Sequence, residues 1–166
     1  MVVFDDVQCP FCKVFEERLH SLESTWIRPG KLKIEFRDYP IFSHRRALSA
    51  HRALGAAQLQ GKYQEMRQAL FAQQERVREA SNSDDQMLRI AKEMGLSEDQ
   101  FLKDYQSPEV REEIAEDQTY GRSLGVHGTP AIWMNGQLYS GALSMENLQK
   151  ILQEAEVSPL FSPSLR

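Results

Sequence analysis

The chain has 166 residues, 41% hydrophobic and 27% charged, which fits an ordinary globular protein able to bury a core without disulfide staples or a structural metal. A formal net charge of -4 argues against nucleic-acid or anionic-membrane binding, both of which need a basic patch. No stretch approaches the roughly 20 consecutive apolar residues that span a bilayer, and the start lacks the basic and apolar segments of an export signal. That leaves a cytosolic protein or a mature fragment whose signal has been removed.

Val2-Val3-Phe4 is a short β-prone run. Pro10 suits the first position of a helix, where its missing N–H costs nothing. Phe11, Phe15, Leu19, Leu22 and Trp26 then share one face at helical spacing, predicting a helix through about Thr25. Pro29-Gly30 breaks it. The alternation across residues 31–37 predicts a half-buried strand with Leu32, Ile34 and Phe36 inward. Strand, helix and strand in that order suit a parallel crossover.

Residues 43–124 carry helical signals only. Ser43 is the expected cap of a helix ending before Gly61, and Tyr63, Met66, Leu70 and Phe71 form the stripe of the next. Ser83-Asp84-Asp85-Gln86 reads as a capping box for a helix stopping at Gly95. Ser97-Glu98-Asp99-Gln100 repeats the signal before Phe101 and Tyr105. Ser107-Pro108-Glu109 opens a last helix running to about Leu124, with Gly125 as its stop.

The chain then returns to strand pattern. Residues 131–134 and 137–140 flank Asn135-Gly136, a two-residue hairpin turn that needs positive φ at both positions. Ser144 precedes a final amphipathic helix with Met145, Leu148, Ile151 and Leu152. A Ser- and Pro-rich stretch, 158–166, reads as a flexible tail.

The two cysteines, Cys9 and Cys12, form one C-x-x-C. A bridge between them closes so small a loop that it removes little entropy from the unfolded chain, so a purely structural staple is a poor explanation. A four-cysteine zinc site is excluded by count, and Lys13 in place of histidine excludes haem attachment. Redox chemistry remains, against inert thiols or half of a metal site. Cys9 is the expected nucleophile, because unpaired N–H groups at a helix start favour a thiolate. Lys13 is expected to help, and Asp5 and Asp6 to oppose it if close. Cys12, one turn inward, is placed to attack a mixed disulfide on Cys9 and release the partner.

Gly128-Thr129-Pro130 precedes the hairpin. With the segment Phe4 to Cys12, the long helical stretch and Asn135-Gly136, the sequence resembles the thioredoxin superfamily, and more closely its DsbA-like branch. The resemblance implies an α/β, thioredoxin-like fold built from residues 1–42 and 125–157, with 43–124 as an inserted all-helical subdomain. It implies a cis Pro130 facing the cysteines and a Thr129 that pairs its backbone with the substrate peptide. Pro10 and Phe11 complete the expected substrate surface.

The activity implied is thiol-disulfide exchange on cysteine-containing protein substrates, in the direction of disulfide bond formation. A redox partner would recycle the pair, with no cofactor or metal, in a periplasmic or otherwise exported setting. Reduction or isomerisation, or a non-catalytic binding module on the same fold, stay open, as does a cytoplasmic location. Many relatives carry a buried acid six positions before the first cysteine; here that position is Val3. Asp6 is the candidate for the proton transfer such an acid assists. His20, His44, His51 and His127 suggest no ligand or triad arrangement with the cysteines.

Overall fold

The computed structural model describes residues 1–141 and 143–157; the expected tail at 158–166 lies outside them. Four strands, β1 (Val2–Asp5), β2 (Glu35–Asp38), β3 (Ala131–Met134) and β4 (Gln137–Ser140), form one mixed sheet in the order β2-β1-β3-β4. β1 and β2 run parallel, joined through α1 (Pro10–Ser21), while β3 is antiparallel to both β1 and β4. The hairpin forms as expected, with φ of 51° at Asn135 and 79° at Gly136.

Between β2 and β3 the described residues are helical or irregular. The helices are α2 (Ala47–Leu59), α3 (Tyr63–Ala72), α4 (Gln74–Glu79), α5 (Ser83–Glu93), α6 (Glu98–Tyr105) and α7 (Pro108–Ser123); α8 (Met145–Val157) follows the hairpin. Val3, Ile132, Phe15, Leu19, Leu148 and Leu152 pack into one core between the sheet, α1 and α8. A second core joins Leu54, Met66, Leu70, Met87, Ile90 and Phe101 of the helices with Val7, Cys9 and Cys12. Helix α1 therefore divides its faces: Phe15 and Leu19 meet the sheet, and Cys12 meets the helical layer.

Several boundaries differ from the sequence pattern. Helix α1 ends at Ser21, and a five-residue π-helical turn, Glu23–Ile27, replaces its expected last turn. The bond from Ile27 N–H to Leu22 C=O (3.2 Å) spans five residues, and the widened turn lets Trp26 and Ile27 reach the same core as buried Leu22. β2 covers only Glu35–Asp38 because its ladder with β1 begins at the Val2–Glu35 pair. Leu32 is still buried, but its N–H donates to Trp26 C=O (2.9 Å) rather than to a strand.

Ser43 does not cap α2, which starts at Ala47 after Arg46, because Ile41 and His44 on either side of it are bound to Asp6. The cap of α5 is Asn82, not Ser83: its side chain accepts from the N–H groups of Asp84 and Asp85. Helix α4 has no counterpart in the sequence reading. It is short, and Gln74, its buried first residue, donates to the carbonyls of Val7 (2.8 Å) and Cys9 (3.1 Å).

Gly121 of α7 marks where the helical layer meets the sheet. A methyl group there would sit 2.7 Å from Tyr39 Cε2 and 3.1 Å from Phe4 Cδ1, and the Tyr39 ring is tied by its hydroxyl to Val126 C=O (2.8 Å). Gly121→Ala should therefore lower the unfolding free energy by about 1–2 kcal/mol in denaturant titration despite alanine's better helix propensity. A variant as stable as the parent would show that this contact yields.

Candidate active site

Cys9 takes the N-cap position of α1 in an extended conformation (φ -77°, ψ 122°), with Pro10 as the first helical residue. Its N–H donates to Asp6 C=O (2.8 Å), and the Gln74 side chain holds the Cys9 carbonyl, so the turn before the helix is fixed from both sides. No acidic residue lies in the first turn of α1, which leaves the positive end of the helix uncompensated beside the sulfur.

The two sulfurs differ sharply. The Cys9 thiol is brought down from its ordinary 9.0 to about 6, chiefly by the hydrogen bond from Cys12, against the effect of burial; the Thr129 side chain and the N–H groups of Cys12 and Phe11 lower it further. Lys13, expected to help, is not among the main contributors. Cys12 is 1% exposed, and burial pushes its thiol far up, reinforced by its hydrogen bond to Cys9 and the nearby charge of Asp5. Cys9 is thus a thiolate at neutral pH and Cys12 a protonated thiol, which is the division expected of an attacking and a waiting sulfur.

The Thr129–Pro130 bond is cis, and Thr129 C=O accepts from the Cys9 thiol at 3.5 Å when that thiol is protonated. The chain before β3 is therefore in contact with the sulfur, although 120 residues separate them. Pro10 and Phe11 lie on the open side of the pair, with Phe11 61% exposed. Thr129 is half-buried, Pro130 is buried and His127 is exposed.

Asp6 touches Cys12 by its backbone rather than by its carboxylate: Asp6 N–H donates to Cys12 Sγ at 3.5 Å. The buried carboxylate accepts from Gln8 N–H (2.7 Å) and Ile41 N–H (2.9 Å) and pairs with His44 Nδ1 (2.7 Å). His51 of α2, fully buried, sets Nε2 3.6 Å from Asp6 Oδ1 and Nδ1 2.8 Å from Asp38 Oδ1. Burial works against its charge, but Asp38 and Asp6 prevail and raise it to about 10. His51 is an imidazolium; burial opposes the Asp6 charge as well, but His51 with the N–H groups of Ile41 and Gln8 outweighs it and holds Asp6 below the usual carboxylate range.

A second buried charge lies alongside. Arg67 of α3, fully buried, pairs with Asp5 and with Glu16 (2.8 Å), its guanidinium 3.8 Å from the centre of the Phe36 ring. Burial outweighs Arg67 at Asp5 and raises its carboxyl above the ordinary value, and the Asp5 charge still adds to the rise at Cys12.

The sequence reading missed His44, His51, Arg67 and Gln74. A signal was available for three of them. Tyr63, Met66, Arg67, Leu70, Phe71 and Gln74 follow the spacing of one helix face, so Arg67 and Gln74 stand on a stripe that must be buried. His51 likewise sits among Ala50, Ala53 and Leu54.

Among the described residues, no group of three or more His, Cys, Asp or Glu is placed to hold a metal ion. A groove of about 710 Å³ lined by Glu16, Leu19, His20, Ile27, Leu32 and Phe36, among others, contains neither cysteine.

The chain matches the model of the DSBA-like thioredoxin domain over residues 1–153. It is 28% identical to a probable disulfide bond formation protein D of Bacillus anthracis over 83% of this chain and 65% of that protein. It is also 28% identical to Na(+)/H(+) antiporter NhaA 1 of Mycolicibacterium gilvum, over 92% of this chain and 24% of that longer protein. The chain thus spans 65% of the first of these relatives, less than two-thirds of its length, and about a quarter of the second. Among solved structures it is similar to a thioredoxin-like oxidoreductase from Silicibacter pomeroyi, with 29% identity, a TM-score of 0.77 and coverage of 95% of this chain and 86% of that one. It is similar, too, to the thiol-disulfide exchange protein alpha-DsbA2 from Wolbachia pipientis, with 30% identity, a TM-score of 0.74 and coverage of 92% and 79%. A family match across nearly the whole chain, carried on a fold with a Cys9–Cys12 pair and a cis proline beside it, places this chain in the family of DSBA-like thioredoxin domains.

Proposed function

We propose that this chain exchanges disulfides with cysteine-containing proteins through Cys9 and Cys12, in the direction of disulfide bond formation. One observation carries the reading: two sulfurs on one helical turn, Cys9 at the N-cap beside a cis proline and Cys12 buried one turn inward, with their pKa values driven in opposite directions. Oxidation runs when a substrate thiolate attacks Cys9 of the disulfide form and Cys12 leaves. A second substrate thiolate then attacks the mixed disulfide, forming the substrate's disulfide and releasing Cys9 as a thiolate. A stable Cys9 thiolate is a good leaving group and stabilises the reduced form, which favours oxidation of the substrate over its reduction.

The substrate chain lies over Cys9, its backbone along Thr129 and Pro130 and an apolar side chain against Pro10 and Phe11. The exposure of Phe11 supports this, since a large apolar ring on the open side of a reactive sulfur suits a partner that covers it. A redox partner must reoxidise the pair after each turnover. The exported setting common in the family fits disulfide formation, which needs an oxidising compartment.

Three measurements test this. Alkylation of the reduced protein should rise with pH around a midpoint near 6, the value at Cys9, rather than near 9. Because folding lowers this pKa, the thiolate stabilises the reduced fold fully only above the unfolded value, and that stabilisation is lost as pH falls through about 6. Cys12→Ser should trap mixed disulfides with substrate proteins through Cys9, whereas a binding module would form none and keep its partner. Finally, the reduction potential against glutathione should lie above the roughly -270 mV of thioredoxin, toward the about -120 mV of strong oxidants; a value at or below thioredoxin's would point to a reductase.

A further inference from the structure

The polar cluster beneath Cys12 has no part in the exchange as derived so far. Asp6 is fully buried, and its peptide contacts both cysteines: C=O accepts from Cys9 N–H at 2.8 Å, and N–H reaches Cys12 Sγ at 3.5 Å. Its carboxylate is gripped from four sides, by Gln8 N–H, Ile41 N–H, His44 and His51. His51 is in turn bound to Asp38, whose N–H donates to Asp117 Oδ2 (2.9 Å), and Asp117 pairs with Arg37 (2.8 Å). Side chains of α2 and α7 are thus tied, through β2, to the one residue whose backbone meets both sulfur-bearing residues.

The geometry points to Asp6 as a positioning residue for the resolving sulfur: its carboxylate, clamped by His44 and His51, holds the peptide whose N–H donates to Cys12 Sγ whenever that sulfur is negative. This rests on the exchange proposed above. When Cys12 resolves a mixed disulfide, its thiol first gives its proton to water. The thiolate then attacks Cys9 Sγ; the Cys9–Cys12 bond forms, the bond from Cys9 to the partner's sulfur breaks, and the electron pair leaves on that sulfur. Cys12 is oxidised and the partner reduced, the departing thiolate taking a proton from water. In the opposite direction a substrate thiolate attacks Cys9 and Cys12 is the leaving thiolate. Either way, charge develops on Cys12 in a place burial makes hostile to it. A fixed N–H aimed at the sulfur acts on that charge without reorganising, as an oxyanion-hole donor does.

Sequence reading offered Asp6 for proton transfer through its carboxylate. The role drawn here is carried by the backbone, and the acid matters because it fixes that backbone. The partners that make the clamp strong are the two histidines, which suggested no arrangement with the cysteines from sequence.

The test separates the two sulfurs. Reduced protein is mixed with oxidised glutathione, the adduct at Cys9 is followed by acid quench and mass measurement, and its closure to the Cys9–Cys12 disulfide gives the resolving rate. Iodoacetamide alkylation of Cys9 gives the attacking reactivity. Asp6→Asn, which removes the charge and keeps the size, should slow closure about tenfold, and His44→Gln on the partly exposed side of the clamp about threefold. Alkylation of Cys9 should change by less than about twofold in both. Unchanged closure in the two variants overturns the inference; so does a parallel fall in both rates, which is what general loosening of the turn produces. A parent protein that forms no adduct at Cys9 overturns the exchange reading and this one together, before any variant is made.

Discussion

The interaction between two neighbouring sulfurs governs this site. It lowers the pKa of Cys9 and raises that of Cys12, so it favours the charge on one sulfur and the proton on the other. It arises because the cysteines are three residues apart at the start of one helix. Cys9 stands at the open mouth of α1, where backbone donors lack partners, and Cys12 lies one turn inside, against the helical core. Both sulfurs are buried, Cys9 5% and Cys12 1% exposed, so it is the donors at the helix mouth, which reach Cys9, that separate the two protonation states.

The rest of the structure holds that arrangement in place. The loop before β3 must reach Cys9 across the sheet, which requires β1 and β3 to be neighbours. Gln74 fixes the turn preceding α1 from the helical side. Phe15 and Leu19 anchor α1 to the sheet, so the helix cannot slide relative to the proline loop without opening the core. The candidate active site is therefore a junction of two cores, and the helices between β2 and β3 supply part of its floor.

Buried charge gathers beneath that junction. Arg67, Asp5 and Glu16 form one group; His51, Asp6, Asp38 and Asp117 lead into another. Such pairs add little net stability over apolar packing, because desolvation consumes most of the attraction, but losing one partner leaves a charge stranded. Their value here is geometric. Each connects a side chain of the helical layer to the strand ends beside Cys9 and Cys12, and directional bonds define position more narrowly than apolar contacts do.

Local chemistry made much of this protein readable in one dimension. The Cys-Pro-Phe-Cys helix start, the Asn135-Gly136 hairpin and the Ser107 cap of α7 depend on neighbours a few residues apart, and each stands where its spacing places it. The limits of β2, the π-helical turn and the start of α2 were not readable, because they follow from a β1 partner, a shared core and the Asp6 carboxylate. The buried polar cluster belongs to the same class. Asp6, Asp38 and His51 are separated by up to 45 residues in sequence, and an aspartate or histidine reads as solvated until packing removes the water around it. Sequence determined which two sulfurs face each other; only the tertiary structure decided which charges surround them, since electrostatics depends on distance in space and on where solvent is excluded.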